Sequence, residues 1–268
     1  MTAADRREAP ARAARAEASP AGAALAVIPC RFGSTRLPGK PLAEIGGRPL
    51  VWHVWNGVRR ATSLARVLVA TDDARIADAV AAFGGEAVMT AAAHASGTDR
   101  IAEAVAIAGG DAAFVVNVQG DEPFLDPSVV DRAVHAARAR SADVTTAASP
   151  LAAADWARPS AVKVVMDADG RALYFSRSGI PWTREGWRDG AQWKHIGLYV
   201  YRREALARFT ALPPSPLERL ESLEQLRALE AGMTVQVIRV ERDSLTVDTP
   251  EDLERARAVF EAARPPLG

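Results

Sequence analysis

Three short apolar runs constrain this chain most. Ala24–Pro29, Arg66–Thr71 (RVLVAT) and Ala112–Val118 (AAFVVNV) each stop abruptly at a polar loop. Helical patterns follow two of them. One covers Ala74–Phe83 and is closed by Gly84 and Gly85, as glycine commonly closes a helix. Another opens at Asp126 and Pro127, a cap followed by proline at the first helical position, and runs to about Ala139. Strand and helix in alternation predict an α/β fold, a mainly parallel sheet with helices on both faces. Right-handed crossovers follow.

The second half is more mixed. Ala161–Met166, Ile196–Tyr201 and Val235–Val240 read as strands. Leu217–Ala231 reads as one amphipathic helix, its leucines at near-helical spacing, and Pro250–Ala263 as a terminal helix. No composition break divides this stretch, so residues 24–268 read as a single domain. Residues 1–23 are rich in Ala and Arg, with Pro10 and Pro20. They lack the apolar core of a secretory signal, and Asp5, Glu8 and Glu17 argue against a transit peptide. They read as a disordered leader.

In an open parallel sheet, ligands bind beyond the carboxyl ends of the strands. That rule selects the loops after Pro29, Thr71, Val118 and Val247. The first, Arg31–Lys40 (RFGSTRLPGK), combines three cations, two glycines and two hydroxyls. Glycines let backbone N–H groups approach phosphate oxygens, and the cations neutralise them. A Walker A loop reads G-x-x-x-x-G-K-S/T. Here one residue too many separates Gly33 from Gly39, and Pro41 follows Lys40. There is no G-x-G-x-x-G either, which disfavours a dehydrogenase. A solvated basic turn is the alternative reading. Gln119–Pro123 (QGDEP) puts carboxylates at a strand end, where they suit magnesium or simply make an acidic turn. Val247–Asp252 (VDTPED) ends a strand and opens the last helix, so Asp248 or Thr249 is its cap, or Asp248 is a second metal carboxylate.

The 33 basic and 33 acidic residues cancel, so no global field favours nucleic acid. One cysteine, Cys30, excludes a disulfide framework and multi-cysteine metal sites. No apolar run approaches the roughly 18–20 residues that span a bilayer. The expected setting is the cytoplasm, with no membrane and no nucleic-acid partner.

Ten segments in one order resemble the 3-deoxy-manno-octulosonate (Kdo) cytidylyltransferases. They are Ile28–Pro41 (IPCRFGSTRLPGKP), Val69–Asp72 (VATD), Ser96–Arg100 (SGTDR), Asn117–Pro123 (NVQGDEP), Ala161–Val165 (AVKVV), Leu173–Arg177 (LYFSR), His195–Tyr199 (HIGLY), Pro216–Glu218 (PLE), Leu223–Arg227 (LEQLR) and Val247–Asp252 (VDTPED). The resemblance runs from about Ala24 to Phe260. It implies a nucleotide-diphospho-sugar transferase-like fold, a homodimer and a role in lipopolysaccharide biosynthesis. The implied reaction is CTP plus Kdo giving CMP-Kdo and pyrophosphate, with magnesium as cofactor.

Residue by residue, the resemblance makes Arg31, Lys40, Asp121 and Asp248 the catalytic set. Asp121 and Asp248 are its magnesium carboxylates. Ser34, Thr71, Asp72, Ser96 and Gln119 join Arg31 and Lys40 around the nucleotide. Arg36, Arg100, Arg177, His195, Tyr199, Glu224 and Gln225 line the sugar-acid pocket. Departures are Cys30 in place of alanine, Asp99 in place of glutamate, and a Trp-rich Trp182–Trp193 that matches only loosely and leaves the sugar open.

The expected step is attack of a sugar-acid hydroxyl on the α-phosphorus, driven by positioning and electrostatics. Arg100 or Arg177 suits the acid's carboxylate, because guanidinium pairs with it bidentately. His195 is expected to donate a hydrogen bond to substrate. The competing readings are a cytidylyltransferase for a related acid and a nucleotide-binding module without catalysis.

Overall fold

The computed structural model describes residues 24–34 and 36–263. The expected leader, 1–23, lies outside them. The strands are β1 (Ala24–Cys30), β2 (Glu44–Ile45), β3 (Arg48–Pro49), β4 (Leu64–Thr71), β5 (Glu86–Met89), β6 (Phe114–Val118), β7 (Val144–Pro150), β8 (Lys163–Met166), β9 (Ala172–Ser176), β10 (Trp193–Arg202) and β11 (Val235–Arg239). The α-helices are α1 (Leu50–Val58), α2 (Ala74–Ala82), α3 (Gly97–Ala108), α4 (Pro127–Ala139), α5 (Arg203–Thr210), α6 (Pro216–Glu221), α7 (Gln225–Glu230) and α8 (Pro250–Ala262).

Among the described residues the main sheet runs β11-β7-β10-β6-β1-β4-β5. β10 pairs antiparallel with both β6 and β7, while the pairings of β1 with β4 and β6, β4 with β5, and β7 with β11 are parallel. The expected mainly parallel sheet therefore has one reversed strand near its middle. β8 and β9 extend it by antiparallel pairing from the start of β10.

Successive residues of a strand face opposite sides, and β1 uses this to build two cores. Ala24, Ala26 and Ile28 join a cluster with Val51 of α1, Ile76 of α2 and Val130 of α4. Leu25 and Val27 join Ile101 of α3, Leu206 of α5 and Leu226 of α7. Helices thus cover both faces. A third cluster of Ile45, Leu50, Val247, Leu253 and Ala256 seats α8 beside the β2–β3 hairpin.

One strand goes unread in the sequence, and two local expectations change. β7 reads VTTAASP, too polar to signal a buried strand, yet Thr145 and Thr146 are fully buried between β10 and β11. Leu217–Ala231 is two helices, because Ser222 adopts a left-handed conformation with φ 53° and ends α6. Val247 ends no strand. Its N–H instead donates to the carbonyl of Asp121 at 2.9 Å, and this bond ties the segment before α8 to the end of β6.

Candidate active site

Two strand ends and one tied loop bring three charged groups together. β1 leads into Arg31–Lys40, β6 into Asp121, and the bonded Val247 places Asp248. Gly39 makes the turn before Lys40 with φ 68°, a conformation that glycine adopts without strain. Gly120 lets β1 and β6 close at their ends, since a Cβ there would stand 2.8 Å from the carbonyl of Pro29 and 3.0 Å from Cys30 Sγ.

Lys40 Nζ then donates to Asp121 Oδ2 at 2.8 Å and to Asp248 Oδ1 at 3.1 Å. Arg36 Nη2 reaches the same Asp248 oxygen at 3.2 Å. Burial alone would lower the Lys40 pKa, but Asp121 and Asp248 outweigh it and hold the ammonium above its ordinary value. Burial pushes the Asp121 carboxyl upward against the pull of Lys40. Cys30, at the end of β1, is pushed up to about 12 by burial and is an inert thiol at neutral pH.

Two cavities meet here. The smaller, about 350 Å³, is lined by Arg31, Ser34, Lys40, Ser96, Arg100 and Glu224 among others. The larger, about 750 Å³, is lined by Arg177, His195, Tyr199, Gln225, Glu122 and Lys194 among others. Arg36, Gln119, Asp121 and Asp248 line both. The charged cluster therefore stands at the junction of two compartments.

The expected nucleotide set falls largely on the smaller cavity. Ser96 caps the twelve-residue α3, its Oγ accepting from Asp99 N at 3.2 Å, and this helix N-terminus, an end that suits anions, opens on the smaller cavity. Thr71 and Asp72 line neither cavity. Thr71 is fully buried and its Oγ1 accepts from Asp73 N, while Asp72 Oδ2 accepts from Arg100 Nη2 at 2.9 Å.

The expected sugar-acid set divides. Arg36, Arg177, His195, Tyr199 and Gln225 line the larger cavity, but Arg100 and Glu224 open onto the smaller one. Arg100 projects from α3 under the end of β4 and spends its guanidinium on Asp72 and on Thr90 Oγ1. Glu224 Oε2 accepts from Thr98 Oγ1 at 2.7 Å, and burial raises its carboxyl. Arg177 is a brace. Its guanidinium donates to the carbonyls of Pro159, Glu221 and Ser222, fixing the turn between α6 and α7, and few donors are left for a ligand. Lys163 of the AVKVV segment is a second brace, fully buried and donating to the carbonyls of Arg158 and Arg177.

His195 sits at an irregularity of β10, where register against β7 shifts between Ile196 and Tyr199. Thr146 Oγ1 lies 2.7 Å from Leu198 O, 3.3 Å from Ile196 O and 2.9 Å from His195 Nε2. Its single hydrogen goes to the nearest carbonyl, so Oγ1 accepts from Nε2–H. Burial lowers His195 to about 3, so the ring is neutral at pH 7. With Nε2–H committed, His195 offers Nδ1 as an acceptor, in place of the expected donor. Burial also pushes the Tyr199 hydroxyl well above its ordinary value, so it keeps its proton.

Motif reading passed over part of the larger cavity's wall. Glu122 is 5% exposed, and burial, with Asp121 and Asp243 nearby, pushes it up to about 8. Lys194 pairs with Asp155 and Asp243. Glu122 was visible within QGDEP, but the acidic pair Asp121 and Glu122 carries no mark of which carboxylate faces which compartment. Asp155 and Asp243 lie far apart in sequence, and only the sheet brings them to one lysine.

The junction also fits a divalent cation. Asp121 and Asp248 already converge on one positive centre, the Lys40 ammonium, and both offer hard oxygen ligands. Among the described residues no group of three or more His, Cys, Asp or Glu converges as a metal cage. Two carboxylates suit magnesium, which keeps waters and takes substrate phosphates as its remaining ligands.

A nucleotide-diphospho-sugar transferase-like sheet with this divided site defines a nucleotidyltransferase. A cytidylyltransferase family profile matches residues 25–237. Relatives described as 3-deoxy-manno-octulosonate cytidylyltransferases include one from Nitratidesulfovibrio vulgaris, 51% identical over 85% of this chain and 92% of its own length. Another, from Rhodospirillum centenum, is 51% identical over 91% of this chain and 96% of its own. A CMP:2-keto-3-deoxy-manno-octonic acid synthetase solved with CTP superposes with a TM-score of 0.85 at 43% identity, covering 90% of this chain and all of that one. A Leptospira borgpetersenii cytidylyltransferase, 17% identical with a TM-score of 0.60, shares the fold. This chain belongs to the 3-deoxy-manno-octulosonate cytidylyltransferase family and is a cytidylyltransferase.

Proposed function

We propose that the enzyme transfers CMP from CTP to Kdo, releasing pyrophosphate, and that it needs magnesium. The observation that carries this reading is the junction, where Lys40 and two carboxylates stand between a cation-lined cavity and a larger polar one. CTP takes the smaller cavity, with Arg31, Ser34, Lys40 and the N-terminus of α3 on its phosphates. Gln119, which lines both cavities, lies beside the cytidine. The acid takes the larger cavity, against Gln225, Tyr199 and the Nδ1 of His195.

The acid's hydroxyl gives up its proton to solvent water and attacks the α-phosphorus, a new O–P bond forms, and the bond to the β-phosphate oxygen breaks as pyrophosphate leaves. Lys40 and Arg31 neutralise the charge that builds on the leaving pyrophosphate. When bound by Asp121 and Asp248, magnesium supplies Lewis-acid polarisation and lowers the pKa of the attacking hydroxyl. Burial lowers the His195 pKa to about 3, which leaves the ring too weak a base to take that proton at pH 7. The Trp182–Trp193 segment had left the sugar open. None of its residues lines either cavity, so its departure from the family pattern is no argument for a different acid.

The enzyme works as a homodimer of single-domain protomers spanning residues 24–268, in the cytoplasm, supplying lipopolysaccharide biosynthesis. Among the described residues no helix is long and apolar enough to cross a membrane. A pyrophosphate-release assay across the four NTPs and a series of 3-deoxy sugar acids tests the reading. CTP with Kdo is expected to give the highest kcat/KM. Turnover of a related acid but not Kdo would overturn the choice of sugar.

A further inference from the structure

The wall of the larger cavity holds two buried polar atoms without a well-formed hydrogen bond, although the Ser244 hydroxyl lies near enough to Glu122 to pull its carboxyl down against the effect of burial. Glu122 is about as buried as a core residue, yet its Oε2 has no hydrogen-bond partner among the described residues. Ser244 Oγ is likewise buried and unpartnered. Both residues line the larger cavity, and neither lines the smaller one. They come from separate segments: Glu122 follows β6, and Ser244 precedes α8 in the stretch that carries Asp248. Each unmade hydrogen bond costs stability, so two side by side in a ligand cavity require a reason.

Backbone geometry holds this arrangement in place. Gly197, at the irregularity of β10, passes directly beneath. A Cβ there would stand 3.1 Å from Gln119 Cγ and 3.4 Å from Glu122 Oε1. The glycine thus leaves room for Gln119 and Glu122 to lie together on the cavity floor. The nearby cation does not resolve the orphan oxygen, because Lys194 is already shared by Asp155 and Asp243.

The chemistry of the missing partner follows from the charges. The Asp121 and Asp243 carboxylates flank this corner and disfavour an anionic group in it. Hydroxyls fit, since each both donates and accepts, and the corner offers a carboxyl group beside a hydroxyl. We infer that Glu122 and Ser244 form a hydroxyl-reading subsite for the polyol portion of the acid, leaving the acid's carboxylate to the rest of the cavity. This rests on the proposed sugar-acid function and deepens it. Neither residue is asked to take part in bond making, and both determine which polyhydroxy acid is accepted.

The test is a cycle between side chain and hydroxyl. Glu122→Leu, Glu122→Gln and Ser244→Ala are assayed with Kdo and with analogues each lacking one hydroxyl. Glu122→Leu is expected to raise KM for the acid about tenfold or more, and Ser244→Ala about three- to tenfold, the effect of losing one hydrogen bond. Glu122→Gln keeps one carbonyl oxygen and restores part of the loss. KM for CTP and the magnesium dependence stay within about twofold, the spread of an untouched site. One deoxy analogue is expected to lose as much on wild type as Kdo loses on Glu122→Leu, and nothing further on that variant.

Unchanged KM for the acid in both Glu122→Leu and Ser244→Ala overturns the subsite. So does equal loss for every analogue on wild type and variant. Ser244→Ala, remote in sequence from the carboxylate pair, carries the cycle alone if Glu122→Leu fails to fold. A wild-type enzyme that turns over no sugar acid fails the functional reading, and the subsite with it. An active wild type without coupling removes the subsite alone.

Discussion

At Asp121 one residue serves two compartments. It is half-buried, lies beside a second carboxylate and is held by a lysine. Replacing either carboxylate by asparagine keeps the shape and removes the charge proposed to hold the cation. Asp121→Asn and Asp248→Asn are each expected to lower kcat/KM for pyrophosphate release at least about a hundredfold, as removal of one charge-stabilising group does. Circular dichroism of both variants should match wild type, and activity within threefold of wild type in either would remove its assigned role.

His195 makes a different kind of prediction. Its folded-state pKa is about 3, against about 6.5 in an unfolded chain. Below about pH 6.5 the unfolded chain binds a proton that the folded chain refuses, so stability falls as pH drops through that window. The slope is about 1.4 kcal/mol per pH unit from this group alone. Urea unfolding at pH 7 and pH 5.5 is expected to show that loss in wild type, and a shallower one in His195→Gln. Identical slopes would mean that the imidazole is accessible to protons in the fold.

At the scale of elements, the irregularity in β10 positions the acid's side of the site. Thr146 holds it by a hydroxyl shared between Leu198 O and His195 Nε2. Thr146→Val keeps the shape and orphans those groups, at an expected cost of about 1–3 kcal/mol. Urea unfolding should read that cost. KM for the acid should rise while KM for CTP holds, because His195 lines only the larger cavity. A stability loss without the KM split would make Thr146 purely structural.

The same strand shows where reading the chain reached its limit. β1, β4 and β6 were legible because parallel strands buried on both faces are continuous apolar runs. β7 was not, since its burial comes from neighbours that its own Thr-rich sequence cannot announce. α6 and α7 read as one helix because leucine spacing continues across Ser222, and the left-handed turn there is braced by Arg177 from β9's end. Contiguous motifs located the junction residues. Which cavity each residue lines depends on the sheet, and so Arg100 and Glu224, expected beside the residues of the larger cavity, line the smaller one.

At the scale of the molecule, the fold is a frame that holds two cavities around one charged junction. Lys40 compensates Asp121 and Asp248, a charge balance supplied by the chain's own residues. Two consequences follow for the whole protein. Chelation with EDTA is expected to stop pyrophosphate release while leaving the unfolding temperature unchanged, because the cation takes part in catalysis and not in holding the sheet. Magnesium and CTP added together are expected to stabilise, because they bind the folded state alone. At a hundred times the dissociation constant that linkage is worth about 2.7 kcal/mol. For a chain of this size it raises the unfolding temperature by roughly 5–10 °C. Differential scanning fluorimetry with EDTA, with magnesium, and with magnesium plus CTP separates the cases. A lower unfolding temperature in EDTA would show a structural metal elsewhere. No rise with magnesium and CTP would mean that the smaller cavity does not take the nucleotide.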